Sequence, residues 1–430
     1  MRFNSIKEKY LFYTIPSILF CFLPFFLITG PFLSDLAVSI ITLSYLAYCL
    51  KKKNFSEFKN KYFYFFLLFW GYLILNSLIN NLNFDSIKIS FFYFRYGVFI
   101  IAIIAYLNID ASFIKYFFYC IFLCFLILII DGYIQYFDAG GENIFGITSG
   151  SKGRVSSFFG KELILGSYLT RVWPLFFALS IFFLKKKDVK FFVFVVIFIL
   201  SEALIFLSGE RVAFFFINFT AVFIILFSNK LLKLRLITLT LSILMIITIS
   251  FFSPTAKERI VDRTFSQMNL TNTNSQMNLT NTNENKIYIF SDEHNQHYVS
   301  AMKMFLDNKI FGVGVKNFRK FCGIEKYKSE KSCSTHPHNT YIQILTETGI
   351  IGFLFIMFVF FNFTYFVIKH FIYRLKGNFF FTDFQVCLLS GILIFIWPLV
   401  PTGNFFNNWL TIIMILYMPF LIWSKKKIKF

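Results

Sequence analysis

Apolar runs of roughly twenty residues recur along this chain of 430, separated by short polar breaks. They fall at 11–29, 32–50, 62–80, 91–107, 113–135, 163–184, 191–207, 213–228, 236–252, 349–368, 381–400 and 409–423. Each is near the length a helix needs to cross a hydrocarbon core of about 30 Å. Backbone polar groups in that core must be satisfied within the segment, so each run is expected to be helical. The pattern predicts an all-α polytopic membrane protein of about twelve transmembrane helices. Residues 1–252 carry the first nine on short loops, 253–348 form one large loop with short helices, and 349–430 carry the last three. The first run has no small-residue cleavage site and leads straight into the second, so it reads as an uncleaved anchor.

Composition agrees, with 57% of residues hydrophobic and 15% charged, and charge then orients the bundle. A formal +20 would suggest nucleic acid in a soluble protein. Here the basic clusters follow every second run: Lys51 to Lys53; Lys185, Lys186, Lys187 and Lys190; Lys230, Lys233 and Arg235; Lys369, Arg374 and Lys376; and Lys425, Lys426, Lys427 and Lys429. That alternation is the positive-inside signature, so both termini are expected in the cytoplasm and the partner of the charge is anionic membrane lipid, not nucleic acid. Three polar segments are left outside: 136–162, the SGER turn at 208–211, and the large loop.

Within that loop SQMNLTNTN stands at 266–274 and again at 275–283, too polar and too short a tandem to build a solenoid. It reads as a flexible tip. Residues 297–321 read as a short amphipathic helix with Tyr298, Ala301, Met302, Met304 and Phe305 on its apolar side and a sharp turn at the GVG of 312–314. Cys322 and Cys333 are the two cysteines outside the runs. In an oxidising compartment they either form a disulfide that closes a short loop before His336 or remain two free thiols.

Ionisable residues at or near membrane depth are costly unless paired or functional, by at least ~3 kcal/mol for a central charge. Arg171 and Glu202 read as an ion pair between neighbouring spans, and Arg95 as a snorkelling end residue. Arg211 differs. It sits beside Gly209 at the outer tip of a hairpin, where a guanidinium can grip phosphate through two parallel hydrogen bonds.

The stretch HPHNTYIQILTETGIIGF, 336–353, closes the large loop and opens the tenth span; His338 and Asn339, nine residues, then Gly349 and Gly352 give HN-x9-GxxG. With SGER upstream, GVGVKNF before the histidines, and the order of spans and loop, the chain resembles the O-antigen ligase and polymerase family of bacterial envelope biogenesis. The resemblance implies a metal-independent glycosyltransferase of the bacterial inner membrane that needs no cofactor. It would move a glycan from undecaprenyl diphosphate to a sugar hydroxyl of lipid A–core, or, as a polymerase, to another lipid-linked repeat; the tight HN-x9-GxxG match favours the ligase.

The chemistry fits these residue types. Displacement at an anomeric carbon needs a base near the attacking hydroxyl, and an imidazole suits neutral pH. A departing lipid diphosphate needs positive charge. By the match, His338 is the expected base and Arg211 a diphosphate clamp. The family's second arginine falls on Arg259 or Arg263 in KERIVDRT, and Arg154 in GRVSSFFG is a further candidate. Asn339, Gly349 and Gly352 support the motif. Glu210 stands where the family usually has a small hydroxyl residue, so it either orients Arg211 or partly neutralises it. Glu347, about two and a half turns along a continuous helix, is expected on the same side as His338. His336 falls outside the motif and reads as loop polarity.

Two rival readings are weaker. His294, His297, His336, His338, Cys322 and Cys333 share one loop, but their spacings match no zinc signature, so no metal is expected. A twelve-helix transporter would concentrate polar residues at the midplane and show related halves, whereas here they gather at the outer face.

Overall fold

The computed structural model describes residues 3–80, 84–183, 189–229, 232–252, 257–267 and 291–427. Among them there are helices and no strand, only an isolated bridge between Glu142 and Thr148. The long elements are α1 (Ile6–Ile28), α2 (Pro31–Lys52), α3 (Lys61–Ile79), α4 (Phe84–Ile109), α5 (Phe113–Phe137), α6 (Leu165–Phe183), α7 (Val189–Leu207), α8 (Arg211–Phe227), α9 (Leu232–Phe252), α10 (Asp292–Asp307), α11 (Thr340–Leu375), α12 (Asp383–Ile396) and α13 (Asn408–Lys425). Among the described residues nine are long and apolar enough to cross a membrane, and α7, α8 and α12 are shorter apolar helices. Every expected span falls on one of these, and α10 is the polar exception.

Their starts are set by local chemistry. Asn60, Ser291, Thr382 and Asn407 each place a side-chain oxygen on an amide of the following first turn, satisfying donors that a helix leaves unpaired. In lipid, helix association depends on packing and not on excluded water, and aromatic rings supply the packing here. Phe20 of α1 stacks on Phe117 of α5 at 4.5 Å, and Phe117 on Phe420 of α13 at 5.6 Å.

Polar contacts join loops at matching ends of the bundle. At one end Glu8 pairs with Lys51 at 3.2 Å and Lys52 at 3.0 Å, and the Asn229 amide donates to Asp383. At the other, Arg95 pairs with Asp35 at 2.6 Å and lies over the Tyr96 ring. Lys51 and Lys52 lie at the first end. The site described below lies at the second.

Three expectations need correction. Glu202 pairs with Arg235 at 2.7 Å, not with Arg171; Arg235 is fully buried over the Trp173 ring, a bundle residue and not a loop charge. Arg95 bridges α2 and α4 and does not snorkel. The expected helix at 297–321 is instead α10, starting earlier and ending at Asp307, then turns and a single helical turn at Phe318–Phe321. Ala301 and Met304 form its buried side, while Met302 is exposed. Most of the SQMNLTNTN duplication lies outside the described residues.

Candidate functional site

The Ser208–Gly209–Glu210 turn between α7 and α8 is the first half of the site. Arg154 donates Nε–H to Ser208 O at 2.7 Å, and Arg259 donates to Gly209 O at 3.3 Å. Gly209 has φ +65°, and a Cβ there would lie 2.8 Å from Arg259 Cδ, so only glycine lets both arginines crowd this turn. Arg211 opens α8 one residue further on. Three of the expected arginines therefore converge; the side chain of Arg263 lies outside the described residues.

Glu210 is the last residue of that turn. Its carboxylate accepts from the Gly166 amide at 2.6 Å and the Ser167 amide at 3.0 Å, capping α6 from another element. Burial raises its pKa, against those bonds and the charges of Arg154 and Arg171. Burial also draws Arg154 down to about 10, with Arg259 and Arg211 adding like-charge repulsion. Such crowding of cations is unfavourable alone and is relieved by a polyanion.

The second half is a cluster of four imidazoles. The His338 ring centroid lies 4.2 Å from that of His336, 5.3 Å from His297 and 5.5 Å from His294. The two histidines of α10 thus meet the motif histidines. His336 is no loop polarity: it is buried, donates Nε2–H to Thr402 O at 3.0 Å, and its Nδ1 bonds Thr335 Oγ1, so both nitrogens are occupied. His297 donates Nδ1–H to Ser332 O at 2.9 Å. His338 bonds Ser334 Oγ through Nε2 at 2.9 Å and holds φ +58°, an uncommon conformation for a non-glycine residue that marks functional sites. Burial, then the neighbouring imidazoles, push His338 down to about 4. His294 reaches the same value through burial, His297 and the Arg211 charge, which ties the two halves electrostatically. Among the described residues no group of three or more His, Cys, Asp or Glu is arranged to hold a metal.

Three features fix the His338 loop. Asn339 caps α11, accepting from the Tyr341 and Ile342 amides, and donates to Pro398 O at 2.8 Å. The Thr402 amide donates to His338 O at 2.8 Å. Cys322 and Cys333 are disulfide-bonded, tying the chain before the loop.

Gly349 then breaks α11, with φ +66° and ψ −169°. The break strips carbonyls of their helical donors, and the GVG turn supplies substitutes: Val313 N donates to Thr346 O and Gly314 N to Glu347 O, both at 2.9 Å, while Tyr72 OH donates to Thr348 O. A Cβ on Gly349 would lie 2.1 Å from Ile310 O. Gly352 leaves room for the Tyr72 ring on the next turn. The helix is continuous up to the break, which falls beyond Glu347; Glu347 is a fully buried anchor that accepts from Gln343 and from the Phe318 amide.

Sequence reasoning missed the 397–405 segment on which the His338 loop rests, since nothing in PLVPTGNFF marks it as a partner of residues sixty positions earlier. It considered His294 and His297 only as metal ligands. Their i, i+3 spacing on a capped helix carried the signal that both face one way.

No curated protein matches this chain. A family model described as O-antigen ligase matches residues 192–357, a segment running from α7 through the Ser208–Glu210 turn, α10 and the His338 loop into α11. Over that segment, well under half of the chain, the protein is similar to the O-antigen ligase family.

Proposed function

We propose that the protein is an O-antigen ligase, transferring a glycan from undecaprenyl diphosphate to a sugar hydroxyl of lipid A–core at the periplasmic face of the bacterial inner membrane. The observation that carries this reading is the convergence of Arg154, Arg211 and Arg259 at one turn, electrostatically linked to the imidazole cluster around His338. A donor diphosphate, held at the surface by its lipid tail, is a polyanion that such a group of cations suits.

In this reading the arginines hold the diphosphate and stabilise the charge that develops as it leaves. His338 takes the proton of the attacking hydroxyl. In the tautomer that donates Nε2–H to Ser334 Oγ, Nδ1 carries the lone pair that accepts it. His336 cannot share the task because both of its nitrogens are engaged. His336, Asn339 and Thr402 hold the base in place. A single displacement of this kind inverts the anomeric centre.

The test is the glycolipid profile of a deletion strain together with transfer by the purified protein. A ligase leaves bare core and accumulating lipid-linked polymer when deleted, and transfers polymer to core in vitro. Core carrying a single repeat would instead identify a polymerase, which uses the same donor and a lipid-linked acceptor.

A further inference from the structure

Arg171 on α6 has no role in the mechanism above, yet it is a cation with only 5% of its surface exposed. Its Nη1 donates to Ser167 O at 3.3 Å, which turns the guanidinium back toward the end of the bundle that carries the site. The Nε–H is buried without a hydrogen-bond partner among the described residues, and the rings of Phe216 and Phe395 flank the group at 5.9 and 5.8 Å. Glu210, whose charge it feels, is committed to the amides at the start of α6.

Beside Arg171 lies a cavity of about 30 Å³, lined also by Thr340, Thr402, Asn404 and Thr411. Its wall is the underside of the site. Thr340 follows the Asn339 cap, its hydroxyl bonds that of Thr402 at 2.9 Å, and the Thr402 amide holds His338 O. A buried guanidinium with an unspent donor is costly unless an anion completes it, and an intramembrane charge beside a cavity whose lining mixes threonine hydroxyls with apolar side chains such as Ile394 and Met414 marks a binding position. The cavity holds more than one water, which is room for phosphoryl oxygens entering from its mouth.

We propose that Arg171, with the Thr340 and Thr402 hydroxyls, forms a second anion subsite, which takes the lipid-proximal phosphate of the donor while Arg154, Arg211 and Arg259 take the sugar-proximal one. This rests on the reading of the donor as a lipid diphosphate. Depth supports the division of labour. Arg171 lies six residues into α6, about 9 Å along its axis, whereas the other arginines surround the turn outside it. The phosphate nearer the polyprenyl tail is the deeper of the two.

Polyprenyl monophosphate carries only the lipid-proximal phosphate, so its binding to the full chain in nanodiscs reads this subsite alone. Arg171→Gln is expected to weaken monophosphate binding about 10- to 100-fold, the size of one or two hydrogen bonds to a charged group, while Arg211→Gln leaves it within a few-fold. Both substitutions weaken polyprenyl diphosphate binding. Thr340→Val, which removes a cavity hydroxyl and keeps the cation, weakens the monophosphate several-fold and serves if Arg171→Gln does not fold. Unchanged monophosphate binding in a folded Arg171→Gln, or in Thr340→Val where that variant alone folds, overturns the subsite. So does an equal loss in Arg211→Gln. Wild-type protein that binds neither lipid overturns the donor reading itself, a different result from a wild type that binds both and an Arg171 variant that binds both equally well.

Discussion

In the proposed mechanism the base is His338, and its surroundings say more than its identity does. A lone imidazole in a loop titrates near 6.5 and shares its charge with water. Here burial and the neighbouring imidazoles push it down to about 4, so it is neutral, and able to accept a proton, across the physiological range. His338→Ala is expected to cost on the order of 10²–10⁴ in transfer rate while donor binding persists, measured as single-turnover transfer beside equilibrium lipid binding. His336→Ala is also expected to impair transfer, because it removes the bond to Thr402 O that braces the loop; a fully active variant would contradict that bracing role. The same displacement of pKa fixes the pH profile. For the free enzyme, kcat/KM should stay level through pH 6.5 and fall only toward pH 4, and an acid limb centred at 6 to 7 would mean that the base is not this buried imidazole. Stability follows the same sign. His294, His336 and His338 all have folded pKa values below the ordinary one, so the unfolded chain binds more protons between about 6.5 and their shifted values. The melting temperature in detergent should therefore drop as pH falls through that window.

At the scale of elements, the GxxG half of the motif acts as a joint. Gly349 lets α11 change direction, and the GVG turn replaces the hydrogen bonds that the break removes, so two sequence signals nearly forty residues apart describe one interlocked feature. Gly349→Ala must hold a left-handed backbone, at roughly 1–3 kcal/mol, and also forces its Cβ against Ile310 O. Gly377 has φ +72° but nothing within 4 Å, which makes Gly377→Ala the control for strain alone. We expect the first substitution to abolish transfer and lower the melting temperature sharply, and the second to lower stability slightly with transfer intact. The disulfide belongs to this scale as well. It closes residues 322–333 directly before the loop that ends in His338, so reduction should slow transfer and speed proteolysis within that loop without unfolding the spans; equal thiol labelling before and after reductant would show that no such bridge exists. What could be read in advance here was the pattern, HN-x9-GxxG and GVG. That they dock on each other could not, because a backbone-to-backbone bond leaves no trace in side-chain identity.

For the molecule as a whole, the periodic part was legible and the pairings were not. Twelve apolar runs declare twelve helices because each must satisfy its own backbone in lipid. Which helix meets which depends on packing that composition does not encode, and so Glu202 was matched with Arg171 when its partner is Arg235, a residue that resembled one more loop charge. The same limit applies to the site, where the arginines were found by type and position but the α10 histidines and the 397–405 floor arrive only through the fold. Sidedness ties these together. Arg154, the 208–210 turn, Arg259 with the histidine cluster, and 397–405 come from four separate connections between spans, and they meet at one end of the bundle, while Lys51, Lys52 and Asp383 lie at the other. Odd and even connections sort to opposite ends only if each run crosses fully. A reporter fused after residue 330 should therefore read periplasmic and one after 188 cytoplasmic, since the first joins the site end and the second follows the even-numbered span whose basic run, Lys185 to Lys187, holds it inside. Both reporters reading the same side would remove a crossing between them, and with it the common face on which Arg211 and His338 must stand to act on one donor.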